Sequence, residues 1–471
     1  MNTPHSSVFR RSLLTVLVAL ALPVLAACVA GPDYIKPAQD LPADFKEARG
    51  WKSAQPADTL PRGQWWEVYG DAELNALVAQ LDVSNQNVQL ALAQYRQAQA
   101  TADAARASFS PTLGASAGAS RSDSGSKTAN SFKLGLDASW EPDLWGSIAR
   151  SVESNDASLQ SSAASLAAAS LSAQASLVQN YFQLRVTDAS IALQTRTVED
   201  YRRALQITQN QFAAGIVTRS DVAQAQTQLK TAEASLIDLG VTRAQLEHAI
   251  AILIGKAPAR FELGSKTSLA PLPELPLSLP SSLLERRPDV AAAERKVAAA
   301  NAQIGVARAA FFPSLSLSGS AGYQASRVSD WFDVPARVWS LGASLAATLF
   351  DGGLREARTR NAIAAYDATV AQYRQSVLGA FQEVEDNLVA LRLLADEAQV
   401  QEQAVAAARE AQRLALDQYK AGTTSYTSVI SAQSALNSAE RNALQLLGRR
   451  YTASALLIKA IGGGWQGLDA Y

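Results

Sequence analysis

The sequence predicts an α+β membrane protein in which short strands cross the bilayer and very long helices stand away from it. Three observations carry that prediction. Four stretches of about ten residues alternate apolar and polar side chains with a period of two. Two stretches of about 68 residues run almost free of helix breakers, and the whole arrangement is written twice.

The duplication organises every other element. Ala105-Arg106-Ala107-Ser108-Phe109-Ser110-Pro111 matches Ala307-Arg308-Ala309-Ala310-Phe311-Phe312-Pro313, a shift of 202 residues (313 − 111). Phe212-Ala213-Ala214-Gly215 matches Tyr419-Lys420-Ala421-Gly422, and Leu253-Ile254-Gly255 matches Ala460-Ile461-Gly462, both at 207 (422 − 215). The drift of five is what loops of unequal length leave between conserved elements. The boundaries that follow are a signal segment 1–27, an N-terminal segment 28–70, repeat 1 over 71–257, a linker 258–284, repeat 2 over 285–464 and a tail 465–471. The linker holds Pro258, Pro271, Pro273, Pro276 and Pro280, too many for a helix or a central strand.

Within each repeat the order reads helix, strand, strand, long helix, turn, helix. The strands fall at about 112–120, 131–141, 314–323 and 338–350. In the second, Phe132, Leu134, Leu136, Ala138 and Trp140 face away from Lys133, Gly135, Asp137 and Ser139. The third sets Leu315, Leu317 and Tyr323 against Ser314, Ser316, Ser318 and Ser320, and the fourth sets Trp339, Leu341, Ala343, Leu345 and Leu349 against Ser340, Gly342 and Ser344. The first is mostly Gly, Ala and Ser. Strands of this length with one apolar face suit a membrane β-barrel, and equally a sheet half-buried on a soluble core. The polar connection Arg121 to Asn130 reads as a long external loop.

The helices favour the membrane reading. Residues 147–214 hold no Gly or Pro, and 354–421 hold only Gly379; as single helices each runs roughly 100 Å. Helices that long are supported side by side, not by one globular core. The return helices, 218–254 and 425–461, show the support. Val222, Ala225, Leu229, Ala232, Leu236, Leu239, Leu246, Ile250 and Leu253 keep coiled-coil spacing, repeated by Val429, Ala432, Leu436, Ala439, Ala443, Leu446, Ala453 and Leu457. Arg243 and Arg450 interrupt the two seams at matching positions and read as an ion pair or a snorkelling side chain.

Bulk composition excludes several classes. Charged residues make up 18% and balance to a net of −1, so no basic surface argues for nucleic acid. After the first 30 residues no run approaches the roughly 20 apolar residues of a spanning helix. At the N-terminus, Arg10 and Arg11 precede an apolar run from Leu13 to Leu25, then Ala26-Ala27-Cys28, the layout of a secretory signal. Cys28 is the only cysteine, and its setting resembles a bacterial lipobox. Cys28 would then carry lipid as the first mature residue, and Val29 in place of Asp implies delivery to the outer membrane.

Four strands cannot close a barrel alone, and lipid tolerates no open sheet edge. The smallest membrane barrels have about eight strands, so several copies must join; the residues alone permit a dimer, trimer or tetramer. A resemblance narrows the choice. Trp65-Trp66 with Asp71, Leu74 and Leu77, Gly31-Pro32-Asp33-Tyr34 just after Cys28, Arg286-Arg287-Pro288-Asp289-Val290 leading to Ala307-Arg308-Ala309-Ala310-Phe311-Phe312-Pro313, and the ending Gly462-Gly463-Gly464-Trp465 together resemble the outer membrane factor family, in its lipoprotein branch. The resemblance covers the mature chain. It implies a homotrimer whose 12-stranded barrel in the outer membrane continues into a periplasmic α-helical barrel. It also implies a periplasmic adaptor and an inner-membrane pump as partners, small toxic compounds as cargo, and no cofactor.

No catalytic constellation is present. His5 lies in the signal, and His248 stands alone on a helix. Glu383, Glu385 and Asp386 read as a solvated or lumen-facing surface, and Gly462-Gly463-Gly464 lacks the lysine of a phosphate loop. The candidate functional positions are the helix turns. Gly215 and Gly422 look like helix C-caps, and Thr218-Arg219-Ser220-Asp221 reads as a capping box. By resemblance these turns are the gate and the adaptor contact. Tyr419 offers an aromatic to the constriction, while Ser428 and Ser431 stand where many relatives carry acids. Exposed Ile216-Val217, with Thr218 and Thr423, fits the adaptor. The remaining readings are an exit duct for secreted proteins on the same fold, a coiled-coil structural lipoprotein without strands, and a cell-wall enzyme.

Overall fold

A computed structural model describes residues 29–38, 45–48, 64–269, 272–273 and 287–465. The signal segment, Cys28, Arg286 and most of the linker prolines lie outside the described residues. Among the described residues seven α-helices and four strands follow one another: α1 (Ala72–Ser84), α2 (Gln86–Ala107), β1 (Thr112–Asp123), β2 (Thr128–Trp140), α3 (Ser147–Ala213), α4 (Arg219–Leu253), α5 (Pro288–Ala309), β3 (Ser314–Ala325), β4 (Arg337–Ala346), α6 (Leu354–Lys420) and α7 (Tyr426–Ala460). The chain divides into two compact units that cut across the sequence repeats. One takes residues 1–39, 94–163 and 292–374, the other 40–93, 164–291 and 375–471.

The first unit carries one antiparallel sheet in the order β1-β2-β3-β4. Pairs such as Leu136↔Ala115, Leu136↔Ala321 and Leu341↔Gly319 keep one register across all four strands. The expected loop Arg121–Asn130 is mostly strand: β1 and β2 pair as far as Asp123↔Thr128, leaving four residues in the turn. These outer residues are polar on both faces, so no alternation marked them as strand. At the other end β4 stops at Ala346, short of 350. There the Asp351 carboxylate accepts from the backbone N–H of Gly353 and Arg355 and starts α6 instead. The chain around Ala30 to Asp33 is fastened to this unit as well. Arg150 donates to Ala30 O and to Asp33, and Asn301 donates to Pro32 O at 3.0 Å.

The second unit holds the main core. Trp65, Trp66, Tyr69, Leu74, Leu81, Leu177, Tyr181, Phe182, Ile250 and Tyr451 are buried together, with Phe182 stacked on Tyr451 at 4.2 Å. Both return helices turn their predicted seams inward: each named seam residue, from Val222 to Leu253 and from Val429 to Leu457, is buried or half-buried. Around the core lies a buried charge cluster. Asp188, with no exposed side chain, accepts from Arg185 at 3.0 Å, Arg243 at 2.8 Å and the Lys266 backbone N–H at 3.1 Å. Arg185 also donates to Gly264 O, and Arg243 to Leu263 O, so the cluster ties down the segment after repeat 1. Arg243 is thus an ion-pair residue. Its counterpart Arg450 is not, for the position matching Asp188 is Ala395, and Arg450 Nε is buried without a hydrogen-bond partner.

One joint recurs in both repeats with different chemistry. The opening helix of repeat 1 breaks at Asn85, whose side-chain oxygen caps α2 through the N–H of Asn87 and Val88. Its amide nitrogen donates to Leu253 O, at the end of α4, at 2.7 Å. In repeat 2, Arg287 stands before α5 and donates to Ala460 O, the end of α7, at 3.1 Å. A buried guanidinium needs anions, and Arg287 has two, Asp289 at 2.7 Å and Glu383 at 2.8 Å. The acidic stretch expected as surface at 383–386 is surface only in part, and two of its acids have partners. Glu383 holds Arg287, and Glu385 accepts the backbone N–H of Lys46 at 2.6 Å and of Glu47 at 2.9 Å. Asp386 alone is left as a surface acid.

Candidate functional site

The sheet sorts its side chains into two chemically distinct faces. Because the registers add odd to even between β1, β2 and β3, and odd to odd between β3 and β4, one face collects Leu113, Ala115 and Ala117 from β1 and Phe132, Leu134, Leu136, Ala138 and Trp140 from β2. To these it adds Leu315, Leu317, Ala321 and Tyr323 from β3 and Trp339, Leu341 and Leu345 from β4. Most of it lies open: Leu341 is 81% exposed and Trp339 75%. Monomeric soluble proteins rarely leave so large an apolar face open.

The opposite face is small and hydroxylic. Ser116 donates to Asp137 at 2.9 Å and Ser320 pairs with Ser340 at 2.8 Å, while Lys133 and Asp137 are the charges of the central rows. Among the described residues, neither edge strand, β1 or β4, has a further neighbour. Unpaired backbone edges beside an apolar face are stable in lipid only if another strand covers them.

The second candidate site is the pair of helix turns in the other unit. At Gly215, φ is 71°, and the N–H of Gly215 and Ile216 return to Phe212 O and Gln211 O. At Gly422, φ is 74°, and the N–H of Gly422 and Thr423 return to Tyr419 O and Gln418 O. A left-handed residue closing two such bonds ends a helix tightly, and glycine alone takes that φ without strain. After the first turn the capping box is present: Thr218 accepts from Asp221 N–H at 3.3 Å, and Asp221 accepts from Thr218 N–H at 2.9 Å. The Thr218 hydroxyl also donates to Asp221, holding that carboxyl below its ordinary range. The second turn is built differently. Ser425 makes no side-chain cap, Ser428 accepts from Thr424 at 3.1 Å, and Ser431 bonds Thr427 O at 3.0 Å.

Tyr419 faces the chain's own partner hairpin. Its ring lies 5.4 Å from Tyr426, and its hydroxyl donates to Gln211 on α3. Burial among these groups pushes its phenol upward. Ala225, Tyr426, Val429 and Ile430 form a small core beneath it, packed on Leu205. Tyr419 therefore stitches the two hairpins together at their ends, a role the sequence did not reveal because Gln211 lies 208 residues away. Ile216, 70% exposed, and Arg219 point into solvent, with Val217 half-buried. Cys28 lies outside the described residues. Among the described residues no group of His, Cys, Asp or Glu could hold a metal, and no helix is long and apolar enough to cross a membrane.

The family described as outer membrane efflux protein matches residues 77–256 and 279–463. The chain is 32% identical over 458 residues to the pyoverdine export outer membrane protein OpmQ of Pseudomonas aeruginosa, covering 94% of this chain and 95% of that one. It is 29% identical to the probable efflux pump outer membrane protein TtgC of Pseudomonas putida, covering 94% of each. Among solved structures, the outer-membrane channel OprN superposes with a TM-score of 0.86 at 32% identity, covering 93% of this chain and all of that one.

Proposed function

The chain belongs to the outer membrane efflux protein family, and on that premise we propose that it is the outer-membrane duct of a tripartite, RND-type efflux system. Three copies contribute four strands each to one barrel, and their helices form the periplasmic tube. Small toxic compounds pass through without bond chemistry, delivered by an inner-membrane pump and a periplasmic adaptor. One observation carries the reading. A four-stranded sheet with an exposed apolar face and two unpaired edges is complete only in lipid and only beside its copies.

The turns at Gly215 and Gly422 are the gate. Arg219, Asp221, Tyr419, Ser428 and Ser431 set its chemistry, and Ile216, Val217, Thr218 and Thr423 meet the adaptor. The lining hydroxyls of the sheet suit a passage that discriminates little. Cys28 bears the lipid, while strands and helices hold the trimer independently of it.

The test is reconstitution of the purified full chain. Native mass spectrometry should give three copies, and planar bilayers should show discrete channels that a matching adaptor binds. A monomer that forms no channel in bilayers would overturn the proposal. Palmitate label should vanish in Cys28→Ala while export persists; label retained in that variant refutes the anchor.

A further inference from the structure

The two hairpins of the sheet end in different ways. Beyond the level of Phe132, the β1–β2 hairpin continues through four more residue pairs, from Ser120↔Ser131 to Asp123↔Thr128. That is on the order of 13 Å of ribbon, and it carries no large apolar side chain. The β3–β4 pairing instead stops at Tyr323↔Arg337. Its connection folds back over the apolar face through two short 3-10 turns, Val328–Asp330 and Val334–Ala336. Trp331 lies 5.9 Å from Phe132 and stacks on Phe332 at 5.5 Å, and Phe332 meets Tyr323 at 5.7 Å. Phe132 and Tyr323 both belong to the apolar face, so the two loop rings extend that face past its last strand pair. Val328, Phe332 and Val334 remain 60–69% exposed.

We propose that this connection is a wedge for the outer leaflet, seated at the boundary between headgroups and acyl chains, with the lipid of that leaflet as its partner. The inference rests on the reading of the sheet as membrane-embedded and goes beyond it in making the loop itself a lipid-binding element. Continuity with the apolar face argues for lipid as the occupant, since the wedge and the face form one surface. The loop's charges are arranged accordingly. Arg337 heads the apolar column of β4 above Trp339 and Leu341, where a long cationic side chain reaches the headgroups while its stem stays apolar. Arg327 and Arg337 are balanced by Asp333 and by Asp330, which accepts from Ser329. With no net charge, the wedge is held by apolar burial and not by attraction to an anionic surface. The polar first hairpin projects past it into water.

The test uses the full chain as its intact oligomer in proteoliposomes whose phosphatidylcholine carries bromine either near the headgroup or near the chain end. Bromine quenches tryptophan on contact, and subtracting a Trp331→Phe variant isolates the signal of Trp331. Headgroup-proximal bromine should quench it more than deep bromine, to the same extent at low and high salt. Phe332→Ser combined with Val334→Ser should lose that quenching. A Trp331 signal unquenched at both depths overturns the proposal, and a disulfide between Val334→Cys copies would then identify a second chain as the occupant. Quenching abolished by salt also overturns it. The membrane reading of the sheet is scored separately through Trp140→Phe: quenching of Trp140 with Trp331 unquenched sinks the wedge alone.

Discussion

Replacing Asp188 with alanine should free the segment that follows repeat 1, and the structure sets the size of the effect. The Asp188 carboxylate is fully buried and takes three donors, from Arg185, Arg243 and the Lys266 backbone. Its removal leaves two guanidinium groups side by side, one of them 2% exposed. Removing one partner of a buried ionic cluster costs about 3–5 kcal/mol. Glu73 stays 2.7 Å from Arg185, and Glu247 stays 3.4 Å from Arg243. These surviving carboxylates place the cost near the lower end, about 3 kcal/mol. If that loss falls on local opening of residues 261–269, the open population rises on the order of 100-fold. Arg260 and Lys266 are trypsin sites in or beside that segment, so the rate of nicking there reads the opening directly. Asp188→Ala combined with Arg185→Met removes charge from both sides and should recover much of the resistance, because a buried pair replaced by apolar groups is often neutral. Nicking as slow in Asp188→Ala as in the parent chain would show that the cluster does not hold the segment.

Three further outcomes follow from the strands and turns. Leu136→Arg, on the apolar face, should lower oligomer yield with a cost of roughly 2–4 kcal/mol near mid-bilayer, while Asp137→Arg on the hydroxylic face should be far milder; equal losses on heat-modifiability gels would reject the register. Tyr419→Ala should raise single-channel conductance nearly independently of salt, and Ser428→Asp should add cation selectivity without opening. A salt-sensitive opening by Arg219→Ala, with Tyr419→Ala inert, would move the lock to the first turn. The depressed carboxyl of Asp221 stabilises the first turn above the unfolded value of about 3.9, and that stability is lost as pH falls through the lower folded value. Pepsin nicking near Phe212 should therefore accelerate only in strong acid, and Thr218→Ala should abolish the dependence.

The parts legible in the sequence were those that periodicity writes down. A sheet face repeats every second residue and a helix seam every three or four, so Phe132 to Trp140 and Val222 to Leu253 declared their orientation without any partner. The hidden parts depend on residues far apart in the chain. Ser120–Asp123 and Thr128–Ser131 pair as strand outside the apolar band, where nothing selects alternation. Glu383 and Glu385 look like solvated helix charges until Arg287 and the backbone of residues 46 and 47 arrive. The asymmetry of Arg243 and Arg450 could have been found, since aligning the repeats sets Asp188 against Ala395 and Glu247 against Ser454. The tip contact of Tyr419 could not, because no pattern in α3 singles out Gln211.

Asn85 and Arg287 show how matching positions of the chain can carry different chemistry. The two residues share neither charge, size nor shape, yet each places one N–H donor beneath the last carbonyl of a return helix. What the fold asks for at both points is one hydrogen-bond donor, and two unlike side chains supply it. Arginine then obliges its neighbourhood to supply anions, as Asp289 and Glu383 do, whereas asparagine asks for nothing. The choice of donor at a knuckle thereby sets the charges required around it, while the hydrogen bond it makes is the same.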